Sequence, residues 1–272
     1  MRIIFLGDVV GRAGREAVIG ELPGLRERYQ PDLVIVNGEN AAGGFGITEA
    51  IFKDLIGAGA DAVTLGNHAW DQKEALDFIA NQPALLRPMN YPPTTPGRSS
   101  GVFKAANGKR VQVINAMGRI FMNPLDDPFA QLDRQVTVCA MGAECDAILV
   151  DFHAEATSEK QGIGYFLDGR VSAVIGTHTH VPTCDHRVLP GGTAYVSDAG
   201  MCGDYDSIIG MDKAEPISRF VKRINSSRLT PALGQATVCG VALEIDDETG
   251  LARDIGLIRI GGGLKPETPD FW

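Results

Sequence analysis

Short runs of β-branched and aliphatic residues recur along the chain, at residues 2–6, 32–36, 61–65, 111–115, 147–150 and 171–175. Most are apolar at consecutive positions, the pattern of strands covered on both faces. Amphipathic stretches at residues 15–29, 48–58 and 72–80 lie between several of them and predict helices. A chain built on this alternation folds as an α/β layered domain. The last third changes rhythm. Residues 193–197, 240–245 and 255–260 read as strands with little helix between the final two, which predicts either a second sheet or an antiparallel edge. The proline- and glycine-rich residues 83–101 predict a long surface excursion, not a boundary, because the strand rhythm resumes beyond it. With no internal repeat and no low-complexity tail, a single domain over residues 1–272 is expected.

Composition narrows the function classes. Hydrophobic residues make up 44% and charged residues 22% of the chain, which excludes wholesale disorder. The 34 acidic and 25 basic residues leave a net charge of −9, a balance unsuited to gripping long nucleic acid through a broad basic face. A small phosphate ligand remains compatible with it, because bound cations reverse the local charge of an acidic site. The opening Met1–Gly11 lacks the charged leader and cleavage site of a signal peptide, and no apolar stretch approaches the roughly 20 residues of a membrane helix. Cys139, Cys145, Cys184, Cys202 and Cys239 are scattered without a CxxC pair, so reduced thiols in a cytoplasmic protein are expected.

The informative positions follow the strands. Residue 6 leads to Gly7-Asp8, residue 36 to Asn37-Gly38-Glu39-Asn40, and residue 65 to Gly66-Asn67-His68. Residue 150 leads to Asp151-Phe152-His153, and residue 175 to Gly176-Thr177-His178-Thr179-His180. In open α/β sheets ligands gather outside the carboxyl ends of the strands. Each of these ends delivers Asp, Glu, Asn or His, donors suited to Mn, Fe, Zn or Mg, and they carry four of the five histidines. On an extended backbone the spacing of His178 and His180 sends both rings to the same side. Glu39 and Asn40 are adjacent and converge only where the strand has ended, which the turn at Ala41-Ala42-Gly43-Gly44 permits. Of the adjacent pair Asn67 and His68, the natural division sends Asn67 to a metal and His68 toward substrate.

Taken singly, these residues have ordinary readings. Asp8 could cap the following helix, Asn67 could be a turn residue, and a lone His153 could be a hydrogen-bonded interior histidine. One shared site accounts for all the strand ends at once. Asp71 could orient His68, but Asp71-Gln72-Lys73-Glu74 fits the capping-box pattern, and the cap is the favoured expectation. His186, beside Asp185 and Arg187, reads as a polar side chain outside the cluster. Gly11-Arg12-Ala13-Gly14-Arg15 lacks the GK[ST] ending of a Walker motif, although Arg12 and helix amides could still meet a phosphate.

Gly66-Asn67-His68, Thr177-His178-Thr179-His180, His153 and Gly7-Asp8 together resemble the calcineurin-like metallophosphoesterases. Gly38-Glu39-Asn40-Ala41-Ala42, Gly46-Ile47-Thr48, Gly66-Asn67-His68-Ala69-Trp70-Asp71 and Gly210-Met211-Asp212 resemble one branch, the YmdB-like bacterial cyclic-nucleotide phosphodiesterases. The similarity extends over almost the whole chain. Two departures from the superfamily pattern, Asp8-Val9-Val10 in place of D-x-H and Gly38-Glu39 in place of Gly-Asp, are those of this branch.

The resemblance implies a four-layer α/β/β/α sandwich of the metallophosphoesterase type. It assigns one metal to Asp8, Asn40 and His180 and a second to Asn67, His153 and His178, with Glu39 bridging both. The implied cofactors are two divalent or mixed-valence metal ions, Fe, Mn or Mg. The implied reaction is in-line attack of a metal-bound hydroxide on a phosphodiester, with His68, left off the metals, as general acid. The expected substrates are 2′,3′- or 3′,5′-cyclic nucleotides, although no aromatic-basic ladder for stacking bases is evident. A phosphomonoesterase or nucleotidase would use the same centre, and a regulatory nucleotide sensor would keep the metals for structure. A homo-oligomer without membrane contact or an extended nucleic-acid surface is expected, and the terminal Phe271-Trp272 could seat on another subunit or fray.

Overall fold

Alternate residues of the first strand bury in different places. Ile4 and Leu6 join one apolar cluster with Val18, Leu22, Phe52 and Leu55, while Ile3 and Phe5 join another with Val111, Val113 and Leu149. A strand with two buried faces needs a layer on each side, and the computed structural model, which describes residues 1–225 and 227–272, supplies both. In chain order the elements begin with β1 (Arg2–Leu6), β2 (Asp8–Val9), α1 (Gly11–Tyr29), β3 (Leu33–Asn37), α2 (Glu49–Ala58), β4 (Ala62–Thr64), α3 (Ala75–Phe78) and β5 (Leu85–Leu86). There follow β6 (Ser100–Lys104), β7 (Arg110–Met117), α4 (Pro128–Val138), β8 (Ala147–His153), α5 (Thr157–Phe166) and β9 (Ala173–Thr177). The chain closes with β10 (Arg187–Val188), β11 (Ala194–Val196), β12 (Met201–Asp204), α6 (Ala214–Lys222), β13 (Ala236–Ile245) and β14 (Ala252–Ile260).

The first sheet runs β2-β12-β13-β1-β3-β4-β5, with β14 on β13, and the second runs β10-β11-β9-β8-β7-β6. Strands β1, β3, β4 and β5 are parallel to one another, as are β7, β8, β9 and β11. The inner faces of the two sheets share a cluster to which Phe5 and Ile35 contribute from one and Val113 and Leu149 from the other. Helices α1 and α2 cover the outer face of the first sheet. Leu132 and Val136 of α4 and Ile163 of α5 cover the second. The layers are α/β/β/α, as the resemblance implies.

The consecutive apolar runs form strands within a few residues of their expected limits, because two-sided burial leaves no polar face to blur the pattern. Of the two alternatives for the final strands the antiparallel one is found: β13 pairs antiparallel with β1 and β14, so the end of the chain completes the sheet its beginning started. Two expectations are corrected. Residues 83–101 are not simply a surface excursion, since Leu85, Leu86, Arg87 and Asn90 are buried. The Arg87 guanidinium is satisfied by the carbonyls of Pro88, Thr95 and Pro96, which folds the proline-rich loop around it. The helix expected at 72–80 shrinks to α3 and a 3-10 turn at Ile79–Asn81, and Asp71 caps neither.

The terminal aromatics pack on their own chain. Trp272 packs against Tyr29 with ring centroids 5.7 Å apart and lies under the Arg2 guanidinium. All five cysteines are free thiols, and among the described residues no helix is long and apolar enough to cross a membrane.

Candidate metal centre

The parallel strands of both sheets end on the same side of the molecule, and the polar residues following them meet there. Asp8 opens β2, Glu39 and Asn40 stand in the turn after β3, and Asn67 and His68 follow β4. From the other sheet come His153, the last residue of β8, and His178 and His180, just beyond β9. Glu39, His153 and His178 have ligand atoms within 4.8 Å of one another, and so do Asp8, Glu39 and His180. Glu39 is common to both groups. Asn67 Oδ1 lies 2.9 Å from His153 Nε2, and Asn40 Oδ1 lies 3.3 Å from His180 Nε2.

Hydrogen bonds at the far side of each ring fix what the histidines present. The Thr177 hydroxyl donates to Asp151 Oδ1 at 2.7 Å, so its oxygen accepts from His153 Nδ1 at 2.9 Å. His153 Nε2 is then the lone-pair nitrogen. His180 Nδ1 donates to the Ile209 carbonyl at 2.8 Å, and His178 Nε2 sits 3.1 Å from Glu155 Oε2. Each ring therefore turns an unprotonated nitrogen inward, the arrangement in which outer partners set the tautomer of ligating histidines.

Such an arrangement suits cations. His153 Nε2 is approached at 3.0 Å by both His178 Nδ1 and Glu39 Oε1, in addition to Asn67. One nitrogen cannot donate to all three, and lone pairs this close repel. Donor atoms bound at right angles to one cation at about 2.1 Å sit about 3 Å apart, which is the spacing found. Glu39 Oε1 and Asp8 Oδ1 are enclosed and accept no hydrogen bond, a costly state for carboxylates unless a cation faces them. Without one, protons take its place. Burial works against a charged His153, but Glu39 and Asp8 draw a proton onto it and raise its pKa to about 9. Burial and the neighbouring His153 push His178 down to about 3. Burial would raise Glu39, yet the charge of His153 outweighs it and holds the carboxyl at about 2.

The family model described as YmdB-like protein matches residues 4–258. The chain belongs to the YmdB-like family. A Bacillus subtilis relative named 2′,3′-cyclic-nucleotide 2′-phosphodiesterase is 52% identical over 260 residues, covering 96% of this chain and 97% of that protein. A Thermus thermophilus crystal structure of a hypothetical protein superposes with a TM-score of 0.89 at 44% identity, covering 97% of this chain and 100% of the other. A Mycoplasma pneumoniae structure described as a novel phosphatase gives a TM-score of 0.89 at 36% identity, covering 96% and 93%.

In this YmdB-like protein the His178–His180 segment is not extended. Both residues have positive φ, 100° and 65°, so the chain turns at each and the two rings enter different ligand groups. The reading that placed both rings on one side is thereby corrected. Left-handed backbone at non-glycine residues persists only where the surroundings enforce it. Here Asp198 Oδ2 accepts from the Thr179 amide at 3.0 Å and its hydroxyl at 2.8 Å, and the buried Lys160 ammonium binds the same oxygen at 2.8 Å.

His68 joins neither ligand group. Its Nδ1 lies 2.8 Å from Asp71 Oδ2, its amide donates to Glu39 Oε2, and the Phe45 ring meets it edge-on at 5.1 Å. The capping reading of Asp71 fails because residues 71–74 form turns and α3 starts only at Ala75; the Glu74 carboxylate serves the Glu49 amide instead. Gly66 lets this loop close in, since a side chain there would collide with the Glu39 carboxylate and the His153 ring. Asp8 caps nothing, since α1 has no side-chain cap; Arg15 reaches the Ala41 carbonyl and the exposed Arg12 pairs with Glu16. His186 lies outside both groups.

The sequence reading gave Asp151 and Thr177 no role of their own and did not single out Glu155, Lys160 or Asp198. Asp151 was detectable, being two residues before His153 and so on the same side of β8. Burial lifts its carboxyl to about 7, and Thr177 and Asn37 both hydrogen-bond to it. Lys160 and Asp198 are 38 residues apart and left no signal.

Proposed function

We propose that this chain is a metal-dependent phosphodiesterase acting on cyclic nucleotides, 2′,3′-linked or 3′,5′-linked. Hydrolysis of phosphoric esters follows from family membership and from relatives named phosphodiesterase or phosphatase. The finer reading rests on one observation: six donors from two sheets converge around a shared glutamate, while a carboxylate-bound histidine stands beside them on no ligand group. Asp8, Asn40 and His180 would hold one cation and Asn67, His153 and His178 the other, with Glu39 between. Iron, manganese or magnesium suits this mixture of carboxylate, amide and imidazole. Bound there, the two cations supply positive charge to the phosphate oxygens and lower the pKa of water. Both sheets contribute ligands to this centre, which supports a single domain over residues 1–272.

His68 is the general acid. Its Nδ1 is held by Asp71, which fixes the orientation of the ring and leaves Nε2 to give a proton to the departing sugar oxygen. His68 borders two cavities, one of about 500 Å³ and one of about 360 Å³, the second shared with Glu39, Asn40, His178 and His180. Volumes of this size suit a single nucleotide. Exposed Ile217, Phe220 and Val221 on α6 support the homo-oligomer that belongs to the same proposal.

Metal quantification on the purified protein, with a hydrolysis panel of cyclic diesters and monoesters under Mn, Mg and Fe, tests the reading. Two metals per chain and diester turnover are expected. Preference for monoesters would favour the phosphatase reading, which the Mycoplasma relative's description supports. Glu39→Ala should lose both metals, because no other carboxylate stands in both groups. Retention of two tightly bound metals in that variant would refute the shared ligand.

A further inference from the structure

The 500 Å³ cavity beside His68 has a second wall that the hydrolytic reading does not use. Asn67, His68 and His178 line one side, and Phe121, Met122 and Asn123 line the other. Phe121 is 88% exposed and has φ 61°, so a large aromatic ring is presented to water from left-handed backbone. Both features are unfavourable for the folded chain alone. The loop is nevertheless held firmly. Gly118 donates to the His153 carbonyl, the Arg119 and Ile120 amides donate to the Glu159 carboxylate, and the Met122 amide returns to the Arg119 carbonyl. The backbone leaving β7 is thus tied to the strand that carries His153 and to α5, which places Phe121 at the mouth of the site. Strain and exposure maintained by such ties mark a functional position.

We propose that Phe121 is the stacking platform for the nucleobase of the substrate, with the Asn123 amide as hydrogen-bonding partner for its edge. The proposal rests on the phosphodiesterase reading for the placement of the phosphate at the opposite wall. A flat aromatic face with a neighbouring amide is the chemistry that binds a heterocycle, and stacking accepts any base because every base has a π face. The chain carries a net charge of −9, which disfavours a long strand, and about 500 Å³ accommodates a mononucleotide.

The test compares 2′,3′-cyclic AMP with the base-free 2,3-cyclic phosphate of methyl riboside. In Phe121→Ala the ratio of kcat/KM for the nucleotide to that for the base-free diester should fall about tenfold, chiefly through KM, and Phe121→Trp should restore it. A ratio within twofold of the original would overturn the proposal. Calorimetric titration of adenosine 3′-phosphate, the monoester left when the 2′ bond is broken, with manganese present gives a second readout. Binding about tenfold weaker in Phe121→Ala supports the platform; equal affinity in the two proteins, or no binding to the unsubstituted protein, overturns it. Should the unsubstituted protein hydrolyse neither diester, the phosphodiesterase reading fails, and the titration still decides the platform.

Discussion

His68→Ala should lose about 10²- to 10⁴-fold in turnover of a cyclic nucleotide while keeping its full metal content. The expectation follows from where the ring stands. Its Nδ1 is engaged by Asp71, while the candidate ligand groups are complete without it. Removing the ring takes away a proton donor and leaves Asp8, Glu39, Asn40, Asn67, His153, His178 and His180 intact. The His68 amide still donates to Glu39 Oε2 in the variant, so the bridging carboxylate keeps its orientation. Elemental analysis and initial rates on the same preparation separate the two effects. Loss of metal together with activity would make His68 a ligand. Turnover within tenfold of the original would remove the general acid from the mechanism. A regulatory nucleotide sensor with structural metals would tolerate the substitution, so the experiment also discriminates between classes of function.

Lys160→Met should destabilise the protein by about 3–5 kcal/mol without touching any metal-facing residue. Lys160 and Asp198 have side chains that are 1% exposed, and their 2.8 Å contact is the ionic partnership of both groups. Removing the ammonium leaves a carboxylate buried with only the Thr179 and Gly200 donors to compensate. At about 2–4 °C per kcal/mol for domains approaching this size, the melting temperature should drop by roughly 6–20 °C. Lys160→Met combined with Asp198→Asn should recover much of the loss, because an isolated buried charge costs more than a neutral pair. The double variant should still bind metal more weakly, since Asp198 is what holds Thr179 between the two left-handed histidines. A single variant that melts within 2 °C of the original would show that the pair contributes little.

The two expectations differ in how far they were foreseeable. His68 was visible because it follows a strand and sits beside Asn67, and adjacency forces the two side chains apart. The Lys160–Asp198 pair was invisible, because it joins a helix to a turn through contacts that no local pattern encodes. Asp71 lies between these cases: its spacing allowed a histidine partner but favoured a helix cap, and only the late start of α3 decided for the histidine.

By itself the sequence determined the strands and what stands at their ends. Two-sided burial demands runs of consecutive apolar residues, and chain direction then fixes which polar residues emerge at the carboxyl ends. Tertiary structure alone decided that β13 returns to pair with β1, that residues 83–101 fold inward around Arg87, and that His178 and His180 diverge. Each of those outcomes depends on hydrogen bonds between distant segments: strand ladders, carbonyls around a guanidinium, and Asp198 on Thr179. Composition and periodicity record how a residue is buried, whereas the partner that satisfies its polar atoms is chosen only when the layers come together.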